Sequence, residues 1–212
     1  MIGDFHNLWQ GGYYEGNPLD PQSPSSYGKY SYMSILHATY LRCIKPYHNV
    51  KHNALEIGAG RGAWTRCLLP FKEVHVLEVL STEETHILEE LHSPPNLFYH
   101  EVHDFECTEL PDGYFDYMFS FGCLCHISHE GIHEYAYNLY DKMRHGSNCF
   151  WMISDYATTG RLPDADELPR PGRWYDNKLT RVCDLLEEVG YSIYDRDVGT
   201  ALRDPIIWFG RR

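Results

Sequence analysis

Three glycines at alternate positions, Gly58, Gly60 and Gly62, follow the apolar stretch Ala54-Leu55 and Ile57. Glycine lets a backbone turn sharply and lets a ligand press against it. A helical pattern follows, and the start of a helix presents free N–H groups to an anionic or polar ligand. These residues form a cradle for a nucleotide-type ligand at the end of a buried strand. The spacing is G-x-G-x-G. The dinucleotide fingerprint needs its third glycine one position later, and Arg61-Gly62 does not supply it. Glu78 lies 20 residues after Gly58, the spacing at which a carboxylate accepts hydrogen bonds from a ribose diol. A solvated strand end is the alternative for Glu78. Val79 and Leu80 come next and could face an adenine ring.

Further along, Asp104 could accept from an exocyclic amino group and Phe105 could cover the ring; a turn is the alternative for either. Phe121 and Gly122 end another apolar run, beside the space that a second substrate must enter. Cys123-Leu124-Cys125-His126-Ile127-Ser128-His129 follows directly. His126 is the first candidate for a general base, with packing or helix capping as the alternative. Asp155 could be a second base, a hydroxyl partner or a strand cap. His126, His129 and His133 fall at helical spacing, but the chain has 13 histidines. Chance clustering explains them better than a metal site, and no metal is expected. Cys123 and Cys125 read as small buried residues.

These residues need elements to hold them. Strands are expected at 53–58, 74–78, 97–101, 115–120, 148–154, 191–197 and 205–210. Helices are expected at 31–46 (stopped by Pro46), 62–69, 82–91, 130–144 and 177–189, the last closed by Gly190. Alternation of this kind implies a mostly parallel sheet with helices on both faces. The last two strands have no helix between them and suit an antiparallel hairpin at the sheet edge. Residues 1–46 read as an arm and helix covering the acceptor side of a single domain spanning 47–212. The arm offers Trp9, Tyr13, Tyr14 and Tyr30, which could stack on a ring or simply hold the arm down. The segment 157–175 is long enough for a lid. Its Arg170 and Arg173 could hold an acidic group on a substrate or make local ion pairs on a solvated loop.

Formal net charge is -12 among 212 residues, which opposes unspecific binding to nucleic acid or anionic membrane. Seven cysteines without a C-x-x-C pair suit a reduced, cytoplasmic protein. The first residues lack the basic start and apolar core of a signal peptide, and no apolar run approaches membrane-spanning length.

Taken together, Leu55–Gly62, Glu78, Asp104 and Phe115–Gly122 resemble the successive motifs of class I S-adenosylmethionine-dependent methyltransferases. The resemblance covers roughly residues 50–155. It implies a Rossmann-like, doubly wound, mostly parallel seven-stranded α/β sheet ending in an antiparallel hairpin. By position, it implies that Glu56, Gly58, Ala59, Gly60 and Gly62 hold the amino-acid moiety of the cofactor. Glu78 would hold the ribose, with Val79 and Leu80 beside it. Asp104 and Phe105 would meet adenine, and Phe121 would lie near the sulfonium. Acidic and aromatic groups suit that cation. No N/D-P-P-Y/F/W follows the fourth strand, which counts against amino methylation of a DNA base. The double-acid loop of protein arginine methyltransferases is not visible. A small-molecule acceptor, a sugar or sugar-containing metabolite first, fits best. O-methylation with His126 and Asp155 as catalytic groups leads. Amine N-methylation is the runner-up, and a cofactor-binding protein without transferase activity comes third. Tyr13, Tyr14, Tyr30, His129, Arg170 and Arg173 are the residues expected to touch the acceptor.

Overall fold

Apolar strands covered on both sides dictate the architecture. Asn53–Ile57 (β1) is buried at every position, as a central parallel strand should be. The computed structural model describes residues 16–25, 28–155, 177–198 and 204–212. In it β1 is joined by Glu73–Glu78 (β2), Leu97–Glu101 (β3), Phe115–Ser120 (β4), Met143–Met152 (β5), Tyr191–Asp195 (β6) and Ile206–Arg211 (β7). The order across the sheet is β3-β2-β1-β4-β5-β7-β6. Strand β1 pairs in parallel with β2 and β4, β2 with β3, and β4 with β5. Strand β7 runs antiparallel to both β5 and β6. This is the Rossmann-like sheet with a terminal antiparallel hairpin that the alternating pattern predicts.

Strand order reverses between β1 and β4, and crevices for ligands open at the carboxyl ends of strands at such a point. The glycine loop leaves β1 there, and Phe121–His126 leaves β4 there. Successive side chains of a strand point to opposite faces, so each central strand feeds two cores. Leu55, Met118 and Trp151 join Tyr135 and Leu139 of helix α5 (His129–Tyr140) and Val182 and Leu186 of helix α6 (Leu179–Val189). Ala54, Phe119 and Phe150 join Ile35 and Leu36 of helix α1 (Ile35–Thr39), Cys43 and Ile44 beyond it, and Trp64 and Leu68 of the glycine-loop side.

Several expected boundaries move. The helix expected over 31–46 starts later, because Lys29–Tyr30 pairs with Met33–Ser34 in a small antiparallel ribbon. It then runs as α1, a π-helical turn at Tyr40–Ile44 and a 3-10 turn at Lys45–Tyr47 that includes Pro46. Pro46 stands at the start of that turn, where its missing N–H costs nothing. The helix expected at 62–69 is reduced to Thr65–Leu68 (α2), since residues 60–64 are spent on turns. The helix expected at 82–91 divides into Thr82–Thr85 (α3) and Ile87–Glu90 (α4) at His86, whose φ is 55°. Beyond that break Ile87 and Leu91 lie against Gly62, where a Cβ would come within 2.9 Å of each. Helix α5 stops at Tyr140 rather than 144, because Met143 is buried and opens β5 opposite Phe115. Gly190 closes α6 in the left-handed conformation, φ 115°.

Candidate cofactor and acceptor site

The loop after β1 is shaped by conformations that only glycine adopts without strain. Gly58, Gly60 and Gly62 have φ of 75°, 51° and 82°, the region that costs an L-residue roughly 1–2 kcal/mol. Gly58 meets a second constraint. A Cβ there would lie 2.5 Å from the Cys123 Sγ, so the loops leaving β1 and β4 touch at this point. The Gly58 N–H donates to the Leu77 carbonyl at 2.9 Å, which ties the loop to β2 as well.

Glu78 ends β2 and is 6% exposed. Its Oε2 accepts from the Gly60 N–H at 2.8 Å. Its Oε1 accepts from Val79 N–H at 2.8 Å and Leu80 N–H at 3.4 Å. Burial pushes this carboxyl up, and the three backbone N–H groups pull it back. Glu56 is buried near the end of β1, and its Oε2 accepts from the Thr65 hydroxyl at 2.6 Å. Burial pushes the Cys123 thiol up, and the negative charges of Glu78 and Glu56 push it further. Two buried acidic side chains, Glu56 and Glu78, thus stand at the strand ends around Gly58, which suits a cationic ligand. A carboxylate oxygen has two lone pairs, so the Glu78 Oε2 that takes Gly60 N–H has capacity for a ribose hydroxyl. On both counts the residues present fit S-adenosylmethionine.

At the end of β4, Phe121 is 4% exposed and its ring lies 4.5 Å from that of Trp64. Gly122 follows with φ 73° and turns the chain into the 3-10 segment Leu124–His126. His126 is half-buried at its end. Ser128 caps α5, its hydroxyl accepting from the Gly131 N–H at 3.2 Å, and His129 is the first residue of that helix. Burial lowers the His129 imidazole below its ordinary value, with the Arg181 charge in the same direction and Glu130 and Asn177 opposing. Asp155 is buried just past β5. Cys125 is buried and Cys123 partly so. Among the described residues, no group of three or more His, Cys, Asp or Glu is arranged to hold a metal.

Other expected site residues fall differently. Leu80 is 2% exposed. Asp104 is exposed, and its Oδ1 accepts from the Glu106 N–H at 2.9 Å, the turn alternative for this residue. Phe105 packs edge-on against Tyr135 at 4.8 Å in the α5 core. Tyr30 sits in the small ribbon with nearly half its surface exposed. Tyr13, Tyr14, Arg170 and Arg173 lie outside the described residues. Two contributors escaped the sequence reading: Cys123 as the neighbour of Gly58, and Tyr99, described below.

Residues 55–148 match the family model described as a methyltransferase domain. No curated protein matches the chain in sequence. Among solved structures, the chain resembles a mitomycin 7-O-methyltransferase at 18% identity and a TM-score of 0.61, covering 84% of this chain. The chain spans only 54% of that protein's length. It resembles an S-adenosylmethionine-dependent methyltransferase from Mesorhizobium loti at 14% identity and a TM-score of 0.60, covering 77% of this chain and 93% of that one. It also resembles a Haemonchus contortus phosphoethanolamine N-methyltransferase, in complex with phosphomonomethylethanolamine and S-adenosylhomocysteine. The identity is 18% and the TM-score 0.54, over 74% of this chain and 38% of that one. Glycine loop, buried acidic strand end, sheet order and matched domain agree: residues 55–148 are a methyltransferase domain on a fold shared with S-adenosylmethionine-dependent methyltransferases, and S-adenosylmethionine is its cofactor.

Proposed function

We propose that this methyltransferase methylates an oxygen of a small hydroxylated molecule, with a sugar or sugar-containing metabolite as the leading acceptor class. The observation that carries this reading is His126. It stands half-buried at the end of the turn after β4, on the side of the sheet where strand order reverses. A hydroxyl of high pKa needs a base as it attacks, whereas an amine needs only desolvation. Bound S-adenosylmethionine supplies an electrophilic methyl group on a cationic sulfur. The chain's own residues supply position and charge. Glu78 accepts from the ribose hydroxyls, the 58–62 loop leaves room for the amino-acid moiety, and Glu56 and Glu78 favour the cation. Phe121, braced by Trp64, borders the reacting centre and excludes water. His126 takes the acceptor proton, and Asp155 at the end of β5 orients the acceptor or serves as a second base. His129 and Tyr30, with Tyr13, Tyr14, Arg170 and Arg173, complete the acceptor side.

A net charge of -12 and the lack of a DNA-base motif favour a small acceptor over nucleic acid. An acceptor screen read by mass spectrometry, scoring the gain of one methyl, tests the class. With an acceptor in hand, His126→Ala should lower the rate by about 10²–10⁴. An unchanged rate removes the base and turns the reading toward an amine acceptor.

A further inference from the structure

The turn leaving β2 is held by more than Glu78. The Glu78 carbonyl accepts from the Val102 N–H at 2.8 Å, and the Ser81 carbonyl from the Thr85 N–H at 3.0 Å. Ser81 and Glu84 form a reciprocal cap at the start of α3, with Ser81 N–H donating to Glu84 Oε2 at 2.9 Å. Glu78 itself takes the Val79 and Leu80 N–H groups. The Leu80 carbonyl accepts from the Tyr99 hydroxyl at 2.6 Å. Every backbone polar group of Leu80 is thereby engaged, one by Glu78 and one by Tyr99.

Tyr99 reaches this point from β3, paired opposite Val76. Its ring packs in a small apolar cluster with Val76, Ile87, Leu88, Leu91 and Ala59 of the glycine loop. Burial, together with the charges of Glu78, Glu101 and Glu84, pushes the phenol upward, so the hydroxyl keeps its proton and donates. Tyr99 thus links both halves of the cradle: its ring packs on the apolar cluster that includes Ala59, and its hydroxyl anchors the turn that carries Glu78.

We infer that Tyr99 is a positioning residue for the adenosine half of the cofactor, holding the 78–81 turn so that the Glu78 carboxylate meets the ribose. This rests on Glu78 being the ribose acceptor. Tyr99→Phe keeps the ring and removes only the hydroxyl. Three full-length proteins are compared: the parent, Tyr99→Phe and Glu78→Gln. S-adenosylhomocysteine affinity is read by calorimetry, and amide hydrogen exchange is followed at 79–81 with α6 as the internal reference. Tyr99→Phe should raise the Kd about three- to tenfold, the size expected for one hydrogen bond. It should also speed exchange at 79–81 while leaving α6 and the melting temperature near the parent. A merely structural tyrosine would change the melting temperature and the α6 amides as well, and that pattern overturns the assignment. An unchanged Kd in Tyr99→Phe, beside a weakened Glu78→Gln, shows that the turn holds without the hydroxyl and also overturns it. If both variants bind like the parent, the reading of Glu78 fails and the role of Tyr99 falls with it.

Discussion

Gly58→Ala tests the central geometric claim, that the loops after β1 and β4 meet at a point with no room for a side chain. Two costs add. A left-handed conformation, φ 75° at this position, costs alanine roughly 1 kcal/mol. The added methyl would overlap the Cys123 side chain, and overpacking a tight contact costs about 1–3 kcal/mol. The sum is about 2–4 kcal/mol, against a total stability of about 5–15 kcal/mol for a domain. For a chain of this length each kcal/mol shifts the melting temperature by roughly 2–4 °C. Removing the obstructing side chain with Cys123→Gly should recover the overlap but not the backbone strain. Gly58→Ala, Cys123→Gly and the double variant form a cycle, measured by thermal and denaturant unfolding. The expected coupling energy is about 1–3 kcal/mol, within the range for residues in contact. A coupling near zero, or a Gly58→Ala protein as stable as the parent, would refute the argument that this contact makes glycine necessary.

Glu78→Gln offers one acceptor oxygen where the carboxylate offers two, and its amide opposes the Gly60 N–H. Calorimetry should show cofactor affinity falling roughly 10- to 100-fold, the loss of a hydrogen bond to a charged acceptor. Ser128→Ala removes the hydroxyl that accepts from Gly131 N–H and should cost about 1 kcal/mol of stability, read from the denaturant midpoint. A pH profile tests the histidine pair at the β2–β3 edge, where His75 Nδ1 and His100 Nε2 lie 2.9 Å apart. Burial lowers both imidazoles below their ordinary 6.5, with the His100 charge adding to the effect on His75. The folded state therefore binds fewer protons than the unfolded one below that value. Stability is fully present above pH 6.5 and is lost as pH falls through the lowered folded values. His100→Asn should flatten melting temperature against pH in that window, and an unchanged profile would show that this pair does not set it.

The glycine loop and its acidic partner could be read from residue types because short-range chemistry dictates them. Positive φ demands glycine at 58, 60 and 62, and a carboxylate at a strand end is conspicuous at Glu78. Helix boundaries were less legible for a physical reason. Ala63 carries helical propensity, yet the chain needs residues 62–64 for the turn under the glycine loop. Residues 143 and 144 were expected to close a helix, yet Met143 is drawn into the core and the strand begins there. Asp104 shows the same limit. An acidic residue after a strand suits an adenine contact or a turn equally well, and here the Asp104 Oδ1 accepts from the Glu106 N–H at 2.9 Å.

The amino-acid sequence alone determined the sheet and the cofactor class, because periodicity, glycine spacing and side-chain chemistry are local properties. Only the tertiary structure decided which loops touch. Gly58 meets Cys123 across 65 residues of sequence, and Tyr99 anchors Leu80 from a neighbouring strand. Such contacts depend on strand order and register, which place residues side by side that no spacing along the chain relates. The cofactor cradle is held by those contacts, so the residues that shape it extend beyond those whose types announce it.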